Sequence, residues 1–124
     1  MRAEFIGMPG LETKSRNYRP RRTTGDRLQE AVLMLGEAQG RLLNHSETPW
    51  ASITFAGSRH ELMLDFAGPE AVAAGERFVA ALPDHEFAIP GQLVADATVS
   101  SVDHLMHPVP RMIVTATLLL LEDA

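Results

Sequence analysis

At 124 residues and 13.6 kDa, with 45% hydrophobic and 22% charged residues, the chain has the composition of one globular domain, large enough to bury a core without disulfides or a structural metal. It contains no Cys, which excludes thiol nucleophiles, Cys-based zinc sites and disulfides, and its apolar stretches, such as Leu118 to Leu121, are far shorter than the roughly 20 residues a bilayer demands. The net charge of −5 is unevenly placed: residues 1–27 carry seven basic against three acidic side chains (+4), and the remainder carries four against thirteen (−9).

Residues 1–23 read as a basic N-terminal arm, densest over Ser15-Arg16-Asn17-Tyr18-Arg19-Pro20-Arg21-Arg22, ahead of a single domain over 24–124. The stretch Met1 to Arg22 lacks the apolar run of a secretory signal, so a cytoplasmic location is expected. The arm suits an anionic partner, or the acidic body of its own or a neighbouring subunit. Nucleic acid ranks behind the second option, because an acidic body repels phosphate.

From Thr24 to Leu43, Leu28, Ala31, Val32, Leu35, Ala38 and Leu42 recur at the spacing of one helical face, with Thr24 or Asp26 as N-cap. Gly36 and Gly40 interrupt the pattern, which marks a close approach to a sheet or an early helix end near Gly40. From Trp50 to Phe66 two alternating runs flank Gly57-Ser58, a pair suited to a two-residue hairpin turn. That register sets Phe55 opposite His60, Ile53 opposite Leu62 and Ala51 opposite Leu64, with Ser52, Thr54, Glu61 and Asp65 on the other face. Pro69-Glu70 opens a second helix that buries Ala71, Val72, Gly75, Phe78, Val79 and Leu82 and stops at Pro83.

Beyond Asp84 the pattern turns to strand. Pro90-Gly91 bends the chain into a strand over Gln92 to Ser101, a loop follows from Val102 to Pro110, and Arg111 to Leu121 is apolar at nearly every position, as befits a central strand. The order αββαββ predicts an α+β two-layer sandwich, with two helices on one face of an antiparallel sheet, topologically a permuted ferredoxin-like fold. The last strand takes an inner place beside the strand from Arg59 to Phe66.

Two groups of residues suggest chemistry. His60, at the rim of the packed face, is a candidate general base, although Glu61 and Asp65 project to the opposite side; a hydrogen-bonded structural His is the competing reading. Asp103, His104 and His107 form a candidate divalent-metal site, zinc being the natural ion, that would need a further ligand from His85, Glu86 or Asp96. No cofactor-binding motif is present: the sequence has no phosphate loop, dinucleotide-binding glycine pattern or nucleophile elbow.

The final strand also holds Ile113, Leu119 and Leu121 on the face the helices do not cover, and Trp50 and Met63 join them. The N-terminal segment through Phe5, Ile6 and Met8, or a second copy of the protein, would cover it, and an exposed apolar patch of that kind marks an interface. The leading expectation is therefore a small cytoplasmic homodimer that binds an unidentified ligand or partner without catalysis. A small enzyme using His60 or the Asp103, His104, His107 loop, and nucleic-acid binding through the arm, are the alternatives.

Overall fold

The computed structural model describes residues 22–123, so the basic arm lies outside the described residues save for its last two positions. The elements follow in the order α1 (Thr24–Leu35), β1 (Arg41–Ala51), β2 (Ala56–Ala67), α2 (Pro69–Ala81), β3 (Gln92–Leu105) and β4 (Arg111–Glu122), with a short 3-10 turn at Leu82–Asp84. This is the αββαββ arrangement. The four strands form one antiparallel sheet in the order β1-β2-β4-β3, which puts β4 inside, next to β2.

Helix α1 begins with a reciprocal cap that sits one residue before the expected one. Thr23 Oγ1 accepts from the Asp26 N–H at 3.0 Å, and the Asp26 carboxylate accepts from the Thr23 N–H at 3.1 Å. The helix ends at Leu35, well short of Leu43, because Gly36 caps it and Glu37 and Ala38 adopt left-handed φ values of 60° and 57°. Residues 41–51 are a strand instead. Leu42 fits a helical spacing by coincidence, and a bulge between Leu42 and Asn44 erases the two-residue alternation that would have exposed β1 as a strand.

The first hairpin also differs from expectation. Ala51 pairs with Ala56, so Ser52–Phe55 form the loop, closed by a Ser52 N–H to Phe55 carbonyl bond of 2.7 Å and a Phe55 N–H to Ser52 Oγ bond of 3.0 Å. Gly57 and Ser58 lie within β2. Gly57 is there because β4 passes close: a Cβ on it would stand 1.9 Å from the Leu120 carbonyl oxygen. In consequence His60 pairs with Glu47 rather than Phe55, while Ile53 and Phe55 are exposed at the loop. In the second hairpin β3 runs on to Leu105, so Asp103 and His104 are strand residues and the connection shrinks to 106–110.

Both helices pack on one face. His60, Leu62, Leu64 and Phe66 of β2 and Met112, Val114, Ala116, Leu118 and Leu120 of β4 are buried beneath Leu28 and Val32 of α1 and Ala71, Val72 and Phe78 of α2. Phe66 fills the end of this layer, and it fits because Gly36, Gly40 and Gly75 surround its ring; a Cβ on Gly40 or Gly75 would come within 2.9 Å of it. Among the described elements none packs on the second face. It carries Trp50, Met63, Ile113, Leu119 and Leu121 as expected, but two polar rows cross its middle, Ser46-Glu61-Thr117-Thr98 and Asn44-Met63-Thr115-Ser101, the second broken only by Met63. Ser100, at a bulge in β3, bonds the Thr115 carbonyl at 3.1 Å and accepts from the Thr117 hydroxyl at 3.2 Å, tightening these rows.

Candidate functional site

Two polar constellations stand out, one under α1 and one at the far end of the sheet. The first joins α1, β1 and β2 through four side chains. Gln29 Nε2 lies 2.8 Å from His45 Nδ1, His45 Nε2 lies 2.8 Å from His60 Nδ1, and His60 Nε2 lies 2.7 Å from Ser58 Oγ. An amide nitrogen only donates, so His45 Nδ1 accepts and its Nε2–H donates to His60, whose own Nε2–H donates to Ser58. Both rings are then neutral, and every ring nitrogen has a partner. His60 is fully buried, and burial holds both imidazoles below the ordinary histidine range, against the weaker opposing pull of Glu47. In this arrangement His60 has no spare lone pair for a substrate, and the Ser58 oxygen accepts a hydrogen bond from the ring instead of donating one to it. Ser58 opens with Glu47, Thr24, Gln92 and Glu122 onto a small polar cavity of about 150 Å3.

The second constellation centres on Asp65, buried on the sheet face away from the helices. Arg111 grips its carboxylate through two bonds, Nε at 2.9 Å and Nη2 at 2.8 Å, and Arg41 adds a longer one at 3.3 Å. These hydrogen bonds and charges, Arg111's first, hold Asp65 below the usual carboxylate range. The arginines line a cleft of about 560 Å3 with Ala67, Leu105, His107, Pro108, Val109 and Pro110, so a cationic floor meets apolar walls.

The structure separates most of the residues singled out from sequence. Asp103 pairs with Ile113 and His104 with Met112, on opposite faces of β3, because neighbouring strand residues point to opposite sides; His107 lies in the following turn. Among the described residues no group of three or more His, Asp or Glu side chains gathers as a metal-binding set. His85 packs edge-on against Phe87, with ring centroids 4.5 Å apart. The sequence carries no signal for the partners of His60: the helical spacing extends to Leu43, just short of His45, and only the place of His45 on β1 sets it beside His60. The Asp65 cluster left a fainter trace: Arg41 and Arg111 begin the two strands that flank its own, which is visible only once the strand order is known.

No protein-family model and no curated protein matches the sequence. The fold does resemble a chain from the virion of a native gene transfer agent particle, with a TM-score of 0.53 at 13% identity over 81% of this chain and 92% of that one. This likeness is one of fold. It corrects the expectation of a small cytoplasmic homodimeric binding protein, since the arrangement of helices and strands that was meant to serve a ligand-binding dimer is found in a particle constituent. Among the described residues no helix is long and apolar enough to cross a membrane.

Proposed function

We propose that this chain is a structural component of a phage-like particle, associating with copies of itself or with other particle proteins. The observation that carries the reading is the extent of the fold likeness, which takes in 92% of the virion chain and therefore its whole architecture rather than a shared motif. Two features of the molecule support it. The conspicuous buried polar groups are satisfied by one another rather than turned toward a ligand. Apolar side chains are exposed in the way that marks interfaces: Val102, Leu105, Met106 and Val109 at the β3–β4 tip and Leu93 at the other end. The homodimer through the second sheet face is one form such self-association takes, and the chain is made in the cytoplasm before incorporation. The test is mass spectrometry of purified, nuclease-treated particles from the host. The chain is expected at a fixed ratio to the other particle proteins; intact particles that lack it overturn the reading.

A further inference from the structure

We infer that copies of this chain associate head to tail, with the acidic end of one sheet seated in the cationic cleft of the next. The inference rests on the reading of the chain as an assembling particle component and names the surfaces that meet. Strand β4 runs from Arg111 at the cleft to Glu122 at the opposite end, so the two ends of the sheet stand about 36 Å apart at the usual rise per strand residue.

The ends differ in charge. At one, Arg41, Arg111 and His107 line the cleft, and the one carboxylate among its described lining residues, Asp65, is buried and already held. The Arg41 side chain is 71% exposed and its guanidinium makes a 3.3 Å contact to Asp65, which leaves donors for the cleft it lines. At the other end Glu47 and Glu122 line the small cavity with no cation among its lining residues, and Asp123 follows.

Apolar surface also borders the cleft: Leu105 and Val109, 48% and 53% exposed, form its walls. At the acidic end Leu93, 57% exposed, pairs with Leu121 on the opposite face of the sheet from Glu47 and Glu122, so the complementarity between the two ends is one of charge. Like ends repel, which disfavours a two-fold dimer through either end. Unlike ends attract, and a contact between different surfaces of identical chains generates rings or filaments, the geometry a particle component uses. The second sheet face is a weaker candidate because polar rows divide it.

The experiment uses three full-length proteins: the wild type, a cleft variant (Val109→Trp) that narrows the cleft without adding charge, and an acidic-end variant (Glu122→Lys with Asp123→Lys), all altered at exposed positions, each checked for folding by circular dichroism. Sedimentation is measured for each alone and for an equimolar mixture of the variants. The wild type should associate with rising concentration, less so at high salt, and each variant alone should associate about tenfold more weakly or worse. The mixture should form one-to-one pairs, twice 13.6 kDa, and nothing larger, since each pair has one intact junction and two blocked ends. Variants that associate like the wild type, or a mixture that behaves as the variants do alone, overturn the inference. A wild type that stays monomeric although particles contain it overturns the head-to-tail contact while leaving the structural role. Head-to-tail association of a chain absent from particles does the reverse.

Discussion

His45 Nε2 and His60 Nδ1 lie 2.8 Å apart, with ring centroids at 5.1 Å, so two imidazoles share one proton in a contact that a second proton would turn into repulsion. Burial depresses both below the ordinary value of 6.5. A folded-state value below the unfolded one means the unfolded chain takes up protons first as pH falls. The stability contributed by the neutral pair is therefore complete above about pH 6.5 and declines below it, by up to about 1.4 kcal/mol per pH unit for each ring. Urea unfolding at pH 7.5, 6.5 and 5.5 should show this slope. The double variant His45→Gln, His60→Gln should lose it, and an unchanged slope in that variant would assign the effect elsewhere.

Asp65 is the carboxylate whose removal should hurt most. Asp65→Asn leaves Arg111 without its two-bond partner in a half-covered site, and a loss of about 2 kcal/mol is expected, below the figure for a fully buried pair because both arginines reach water. Arg111→Ala should cost more than Arg41→Ala, which gives up only the 3.3 Å contact. Since Asp65 is depressed, its contribution is present above the unfolded carboxylate range and is lost as pH falls below about 4. Denaturation midpoints for the three variants give the order directly.

Gly57→Ala should be disproportionately damaging for a change of one methyl group. The new Cβ would overlap the Leu120 carbonyl, a backbone atom that moves only if β2 and β4 part, so about 3 kcal/mol or more is expected, with weakened amide protection in both strands by hydrogen exchange. Gly91→Ala is the control. It has a positive φ of 77° but open space around it, and about 1 kcal/mol should be lost without any change in strand protection.

Phe66→Ala should cost about 4 kcal/mol, because the ring is wholly buried and the glycines around it have no side chains with which to fill the void. Thr23→Ala should cost only about 1 kcal/mol and fray the start of α1, which circular dichroism during thermal unfolding resolves from global loss.

The periodicity of apolar side chains determined much of this molecule without reference to any structure. Ala71, Val72 and Phe78 at helical spacing, and the near-continuous apolar run from Met112 to Leu121, placed one helix on the sheet and one strand at its centre, because burial on one side or on both leaves a direct mark on composition. Edge strand β1 left no such mark. Its residues are mostly exposed and a bulge breaks their alternation, so its existence and its register were settled by pairing with β2. With that register came both polar sites: His45 meets His60, and Arg41 meets Asp65, across strands 15 and 24 residues apart in the chain. Spacing along a sequence constrains neighbours within one helix or strand. Contacts between strands depend on where loops close, and here Gly57, which by its local pattern suits a turn, lies inside β2 beside β4, a neighbour distant in sequence that no local pattern encodes.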